Sequence, residues 1–155
     1  MGVGVNRGVV VSVNISEQKG TRKHPLQGPV TITMLGMQGD AHAGNWHRQL
    51  SLLAQESIDR MQGHGLVLGP GDFAENITTQ HLDLPALPVG TRLQVGSSVM
   101  LEVTQIGKEC HLGCEIRKLV GDCVMPREGI FARVVTPGPI EAGDVITVID
   151  KGEVQ

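Results

Sequence analysis

Glycine and proline occur so densely along this chain that they restrict it to short elements joined by tight turns. The 155 residues include 21 glycines and 8 prolines. Glycine permits the backbone conformations that turns and bulges require, and both residue types interrupt long helices. The composition therefore predicts a compact β-rich architecture rather than a helical bundle.

Hydrophobic periodicity divides the chain into about seven strands and two short helices. Residues 8–15 are a short β-branched run, and residues 91–95 and 99–106 predict a hairpin joined through residues 96–98. The remaining predicted strands span 30–34, 73–79, 130–136 and 145–149, residues 50–53 have strand-like character, and the predicted helices span 55–62 and 112–120. With many short strands and no linker, we expect one domain with a closed or nearly closed β-barrel core.

Composition also excludes several classes of function. A formal net charge of -3 does not suit a nucleic-acid-binding surface, and Trp46, Phe73 and Phe131 are too few aromatic residues for a base-stacking platform. No apolar run approaches a membrane span, and the first residues lack the pattern of a signal peptide. Three cysteines without export signals suit a reducing compartment, so we expect a cytoplasmic protein without nucleic-acid or membrane partners.

The strongest candidate for chemistry is Cys110, just after the predicted strand 99–106. A thiol at a strand end, in a loop containing Gly113, is held in place yet reachable. Lys108 is close enough in sequence to favour the thiolate, which is the nucleophilic and metal-binding form of cysteine. The alternative is a buried, inert cysteine, which is common in proteins.

Several motifs, in order, resemble those of MOSC domains, which are named after the C-terminal part of molybdenum-cofactor sulfurases. The matching segments are 39–44, 48–53, 71–78, 87–91, 103–105, Cys110, 131–134 and 141–144. Residues 121–129 look like the small stand-alone bacterial branch that is often associated with molybdopterin biosynthesis. The resemblance predicts one mainly β, barrel-like MOSC domain at 8–149 with a few short helices, and short terminal extensions at 1–7 and 150–155.

The resemblance implies binding of molybdenum cofactor (molybdopterin) and handling of its terminal sulfur. Cys110 matches the cysteine thought to carry persulfide sulfur or to ligate molybdenum, a metal that suits a soft thiolate. The pterin phosphate requires cationic or N–H donors. Candidate phosphate contacts are His42, Arg48, Lys108 and Arg127, and Ser51 and Asn76 match positions where related domains place polar groups against the cofactor.

Each of these assignments has a structural alternative. Asn76 could cap a turn, Ser51 could be an ordinary strand hydroxyl, and Arg48 could be solvated. For the pair Asp40 and His42, we expect a structural role for Asp40, holding its glycine-rich turn, and a functional role for His42.

Other polar segments are expected to be solvated. The basic segment 19–25 is predicted to be a solvated turn, with a clamp for an anionic ligand as the alternative. The remaining histidines that lie in polar segments are expected at the surface, namely His24, His47, His64 and His81.

The sequence departs from many MOSC domains by holding more thiols near Cys110. Cys110, His111, Cys114 and Cys123 could together bind zinc or an iron–sulfur cluster, although their spacing matches no standard zinc signature. Cys114 could instead resolve a persulfide or sulfenate on Cys110 through a disulfide. In the simplest alternative, Cys114 and Cys123 pack in the core.

No pyridoxal-phosphate lysine motif is recognisable in the sequence. Any persulfide sulfur is therefore expected from a separate cysteine desulfurase. The other expected partners are molybdenum cofactor biosynthesis proteins and an acceptor molybdoenzyme. A non-catalytic carrier of the intact cofactor is the alternative function, and the sequence leaves open whether the protein turns over a substrate.

Overall fold

A computed structural model describes residues 7–19, 21–61, 67–107 and 128–150. Eleven strands lie in these ranges. They are β1 (Arg7–Ile15), β2 (His24–Pro25), β3 (Val30–Thr33), β4 (Gly36–Met37), β5 (Leu50–Ala54), β6 (Ile77–Gln80), β7 (Arg92–Val95), β8 (Val99–Ile106), β9 (Ile130–Thr136), β10 (Gly138–Ile140) and β11 (Val145–Asp150). One α-helix, α1 (Gln55–Arg60), and one 3₁₀ turn, Leu84–Ala86, accompany them within the described ranges.

Seven strands close into a barrel. Their order is β11-β7-β8-β9-β5-β6-β1, and an additional pairing of β1 with β11 joins the two ends. Neighbouring strands are antiparallel except β5 and β6, which are parallel. A parallel pair needs a crossover connection, and α1 lies in the connection from β5 to β6.

Three of the remaining strands form a small second sheet in the order β10-β3-β4. The two-residue β2 pairs with the end of β1, with Asn14 opposite Pro25 and Ile15 opposite His24. This pairing brings the segment after β1 back against the barrel, beside the glycine-rich segment that follows β4.

Alternation along the strands fills the barrel with aliphatic side chains. In β8, Val99, Leu101 and Val103 are fully buried, and the residues between them are partly exposed. A second, smaller cluster packs outside this core and contains Leu53, Ile58, Leu68, Phe73 and Phe131. The second cluster connects α1 to the start of β9.

The predicted mainly β barrel is confirmed, and the strand-like runs with clear alternation lie where they were predicted. The predicted strand 73–79 begins only at Ile77, because the chain before it turns, with Ala74 at φ 67°. The predicted helix 55–62 is α1, and the predicted helix 112–120 lies outside the described residues. Among the described residues, no helix has the length and apolar character needed to cross a membrane.

Candidate functional site

A buried lysine lies at the centre of the segment that was predicted to be a solvated turn. The Lys23 side chain has no exposed surface. Its Nζ lies 3.0 Å from Ser16 Oγ, 2.8 Å from Asp40 Oδ1 and 3.1 Å from His42 Nδ1. The prediction for this position was wrong, because the partners that make burial of the charge tolerable come from elsewhere in the chain.

Asp40 balances the lysine charge and holds the backbone on both sides. Its Oδ1 accepts a hydrogen bond from the Ser16 N–H at 3.1 Å, and its Oδ2 accepts one from the His42 N–H at 3.0 Å. Burial alone would raise the pKa of Asp40, but the proximity of the His42 side chain, the hydrogen bond from Lys23 and the charge of Lys23 outweigh it and hold the pKa well below its usual range. The structural role predicted for Asp40 agrees with these contacts.

His42 connects this buried pair to the surface. Its Nδ1 faces Lys23, and 20% of its side-chain surface remains exposed. The imidazole lies parallel to the Trp46 indole, with ring centroids 6.4 Å apart and an interplanar angle of 4°. Trp46 Nε1 donates a hydrogen bond to the His42 carbonyl at 2.8 Å, so the two side chains are fixed relative to each other.

Two cations lie against Trp46. The Lys19 ammonium and the Arg48 guanidinium are each 4.8 Å from the ring centroid, and Arg48 also lies 5.5 Å from the Phe131 ring. Within the described part of the chain, neither cation forms an ion pair with a carboxylate. We call Lys19, His42, Trp46 and Arg48 the cationic face. Unpaired cations beside an aromatic ring suit a flat, anionic ligand.

The loop that carries this face is fastened to the barrel. Gln49 Oε1 accepts the Val134 N–H of β9 at 2.8 Å, and Gln49 Nε2 donates to the Met34 and Gly44 carbonyls at 2.9 Å. The Thr104 hydroxyl of β8 lies 2.5 Å from the His47 carbonyl oxygen. The face is therefore held by β8 and β9 rather than by its own loop alone.

Ser51 and Asn76 lie together, but their polar atoms contact protein. Asn76 is fully buried, and its Oδ1 accepts hydrogen bonds from the Ser51 N–H at 3.0 Å and the Ser51 hydroxyl at 3.3 Å. Its Nδ2 donates to the Asn14 carbonyl at 3.3 Å. These bonds join β5 to the chain entering β6, which matches the structural alternative for both residues.

The turn before β6 contains a buried acid that the sequence did not single out. Glu75 has no exposed surface, and its Oε2 accepts from the Gly71 N–H at 2.9 Å and the Thr78 hydroxyl at 2.6 Å. No hydrogen-bond partner for its Oε1 lies in the part of the chain that the structure describes. Burial raises the pKa of Glu75 to about 7, against the lowering effect of the bonds from Gly71 and Thr78. Gly71 in turn accepts the Lys23 N–H at 2.8 Å, so this turn also supports the buried lysine.

The described chain stops at Gly107 and resumes at Glu128, on either side of the segment with the cysteines. After β8, the Gly107 N–H donates to the Gly129 carbonyl at 2.7 Å, and β9 begins at the next residue. Phe131, under the Arg48 guanidinium, is paired with Gln105 of β8. The predicted site residues Lys108, Cys110 and Arg127, and also His111, Cys114 and Cys123, lie outside the described residues.

Of the predicted site residues in the described ranges, the structure brings His42 and Arg48 together through Trp46, and Ser51 and Asn76 through their hydrogen bonds. Sequence reasoning missed Trp46 as part of a site. The sequence signal that could have identified it is its position between His42 and Arg48. A tryptophan surrounded by polar residues in the sequence is unusual for a core residue. His24, His47 and His81 are exposed as predicted, and His64 lies outside the described residues.

The described ranges contain no group of three or more histidine, cysteine or carboxylate side chains able to hold a metal ion. A cleft of about 390 Å³ lies beside α1, away from the cationic face. It is lined by Ala54, Glu56, Ser57, Arg60, His81, Leu82, Asp83, Leu84, Pro85 and Glu128. None of the residues predicted to bind cofactor is in that lining, so the cleft is separate from the candidate site.

Solved structures share this architecture. The YuaD protein from Bacillus subtilis superposes with a TM-score of 0.75 at 19% identity, covering 90% of this chain and 94% of that one. YiiM from Geobacillus stearothermophilus has a TM-score of 0.71 at 20% identity, covering 92% of this chain and 75% of that one. YiiM from Escherichia coli has a TM-score of 0.71 at 19% identity, covering 96% and 72%. At such identities the likeness establishes the fold alone. No curated protein matches the sequence.

The seven-stranded closed barrel defines the chain as a small β-barrel domain. The family profile of the MOSC domain matches residues 39–147. This match covers most of the chain, so the protein belongs to the MOSC-domain family, which relates it to molybdenum cofactor sulfurases.

Proposed function

We propose that this protein binds molybdenum cofactor at the cationic face and handles its terminal sulfur through Cys110. The observation that carries the proposal is a pair of cations, Lys19 and Arg48, that lie against the single tryptophan of a MOSC domain and have no carboxylate partner among the described residues. A pterin with a phosphate offers a flat ring system and an oxyanion. Arginine and lysine are the side chains that recognise phosphate, and an aromatic ring suits a planar partner.

The position of Cys110 in the sequence supports its role in this function. Cys110 follows Gly107, just after the end of β8, by three residues. The Gly107 N–H donates to the Gly129 carbonyl, and Phe131, two residues after Gly129, has its ring 5.5 Å from the Arg48 guanidinium of the cationic face. We therefore assign sulfur handling to Cys110, which lies between these two glycines in the sequence.

Each predicted residue has a role in this proposal. Arg48 binds the phosphate together with Lys19, and His42 donates a hydrogen bond to the ligand. Lys108 favours the Cys110 thiolate, and Arg127 adds a second cation from the same segment. Ser51 and Asn76 hold β5 against β6 beneath the face. When bound, the cofactor would supply a molybdenum centre for which a thiolate or persulfide is a suitable soft ligand.

The sulfur-handling step needs only a persulfide donor, supplied by a separate cysteine desulfurase. The Cys110 thiolate attacks the terminal sulfur of the donor persulfide. The S–S bond of the donor breaks as a new S–S bond forms on Cys110, and the donor leaves as a thiolate. No external oxidant or reductant is required, because one persulfide replaces another.

The proposal is tested by producing the protein in a host that makes molybdenum cofactor. We expect molybdenum and pterin to copurify with it, measured by elemental analysis and by pterin fluorescence after mild oxidation. Arg48→Met keeps the stem on Trp46 but removes the charged donor. The pterin content of this variant should fall at least about tenfold, since hydrogen bonds to charged groups contribute about 1.5–3 kcal/mol.

The matched control is Arg92→Met, because Arg92 lies on β7 and pairs with Glu102. Pterin retention should be unchanged there. Zinc or iron without pterin would instead support a metal site of Cys110, His111, Cys114 and Cys123, and would refute the proposal. After exposure to a cysteine desulfurase with cysteine, a mass increase of one sulfur atom on Cys110 supports sulfur handling, and bound cofactor without it supports a carrier.

A further inference from the structure

The contacts of Lys23 fix which nitrogen of His42 can carry a proton. A lysine ammonium has three N–H donors and no acceptor. Lys23 Nζ lies 3.1 Å from His42 Nδ1, so Nδ1 must be the acceptor of this contact. In a neutral imidazole the proton then resides on Nε2.

The alternative tautomer has a competing partner, which makes the effect of Lys23 specific. His42 Nδ1 also lies 3.7 Å from Asp40 Oδ2, which already accepts the His42 N–H. Without the lysine, the carboxylate would attract a proton to Nδ1. The ammonium lies closer to Nδ1 than the carboxylate does and itself forms an ion pair with Asp40 at 2.8 Å.

The other side of the ring is available to a ligand. Within the described residues, Nε2 has no hydrogen-bond partner, and the side chain keeps 20% of its surface exposed. Parallel packing on Trp46 fixes the ring plane. The ring therefore offers an N–H donor on the same aromatic residue that carries the Lys19 and Arg48 charges.

From this geometry we infer that Lys23 is a positioning residue that holds His42 as the Nε2–H tautomer, so that the cationic face presents only donors and selects an oxyanion such as a phosphate group. The inference rests on the proposed function only for the identity of the molecule that carries the oxyanion. The tautomer itself is a property of the ligand-free protein.

The first experiment measures the tautomer directly in ligand-free, ¹⁵N-labelled protein at pH 8, where an ordinary imidazole is neutral. Two-bond ¹H–¹⁵N spectra distinguish protonated from unprotonated ring nitrogens, and His42→Gln assigns the signal. We expect Nε2–H for His42. The exposed His24, His47 and His81 are internal controls and should show averaged tautomers.

Variants then test the role of the lysine. Lys23→Met should move the His42 proton to Nδ1, next to Asp40, whereas Lys19→Met should leave the tautomer unchanged. If the lone buried carboxylate prevents folding of Lys23→Met, the double variant with Asp40→Asn removes both charges. In this double variant, the two tautomers of His42 should be averaged, as they are in the exposed histidines.

Nδ1–H in the wild-type protein would overturn the inference, and so would a tautomer unchanged in both the single and the double variant. A merely structural lysine would alter stability without altering the tautomer.

The second experiment tests the oxyanion with inorganic pyrophosphate as the probe. Trp46 is the only tryptophan, so its fluorescence reports on the cationic face. We expect a saturable fluorescence change that weakens about tenfold in Arg48→Met and is unchanged in Arg92→Met. No saturable change would refute the oxyanion preference. A different outcome would refute the proposed function alone: His42 is fixed as the Nε2–H tautomer, but the protein purified from the host contains no pterin.

Discussion

A carboxyl group buried without a counter-charge makes stability depend on pH in the direction opposite to a salt bridge. Glu75 is fully buried, and its pKa is raised from 4.5 to about 7. Below pH 4.5 the group is protonated in both the folded and the unfolded state. Between pH 4.5 and about 7 the unfolded state loses the proton first, so ionisation of Glu75 progressively lowers the free energy of unfolding.

We predict that Glu75→Gln is more stable relative to wild type at pH 8 than at pH 4.5. The amide keeps an oxygen for Gly71 and Thr78 and carries no charge at any pH. A pKa shift of this size corresponds to a change on the order of 3 kcal/mol, between the two pH values, in the difference in unfolding free energy between the variant and the wild type. Urea unfolding at both pH values measures it, and other titrating groups cancel in the comparison. A difference that does not vary with pH would contradict the prediction.

Asp40 behaves oppositely, because its folded-state pKa is lowered. The stability that its ionised form contributes is present above its ordinary pKa of 3.8 and is lost as the pH falls through the lower folded-state pKa. At pH 7 we expect Asp40→Asn to cost about 3–5 kcal/mol, because it leaves the Lys23 charge buried without its partner.

The double variant Lys23→Met with Asp40→Asn is the control for this prediction. It removes both charges, so it should be less destabilised than the sum of the single variants. Additive losses, measured by urea unfolding at pH 7, would show that the two charges are not coupled.

The burial of Lys23 could not be read from its neighbours in the sequence. Arg22 and His24 are exposed, and nothing local distinguishes the residue between them. Its environment is set by Asp40, which is 17 positions away, and by a turn at Gly71. His42, in contrast, was recognisable as a candidate because it lies in a family motif.

Among the connecting elements, the turn before β6 has no room for an added methyl group at Gly71. Gly71 has φ +87°, and a Cβ there would lie 2.2 Å from the Lys23 carbonyl oxygen. Gly71 also donates to Glu75 and accepts from Lys23. The turn thus connects the buried acid to the segment that carries the buried lysine.

Gly71→Ala should therefore destabilise the protein by about 2 kcal/mol or more beyond the cost of the backbone conformation itself. Gly143→Ala is the matched control, since Gly143 has φ +96° but no atom within 4 Å of a Cβ. Both variants experience the strain of a positive φ, and only the first meets the Lys23 backbone. Equal losses of unfolding free energy would show that the close approach is unimportant.

The elements differ in how far local sequence determines them. The hairpin of β7 and β8 has alternating apolar residues and a tight connection, so its prediction needed no tertiary information. The two-residue strands β2 and β4 have no period to detect and exist because of the strands they pair with. Residues 73–79 were predicted to be one strand, but the chain before Ile77 forms a turn in which the Glu75 carboxylate accepts bonds from Gly71 and Thr78.

At the scale of the whole molecule, barrel closure connects the two ends of the described chain. β1 pairs with β11 from Arg7 opposite Thr147 to Val9 opposite Val145. Residues far apart in sequence must therefore meet before the seam forms. Every strand of the barrel pairs with a neighbour on each side. The domain predicted at 8–149 should unfold as one cooperative unit, so a destabilising substitution at the seam should also lower the stability of the cationic face.

Two isoleucines of β11 provide the test. Ile146 is fully buried at the seam, opposite Gly8 on one side and Val95 on the other, whereas Ile149 is half exposed. Ile146→Ala should lower the free energy of unfolding by about 2–5 kcal/mol, and Ile149→Ala by far less, because only the first leaves a cavity. Urea unfolding is followed by far-ultraviolet circular dichroism and by Trp46 fluorescence. In a cooperative barrel both signals shift to the same lower midpoint in Ile146→Ala, although Trp46 lies in the loop before β5 and not beside β11. If the circular dichroism transition moved while the Trp46 transition stayed in place, the seam and the cationic face would belong to separate folding units.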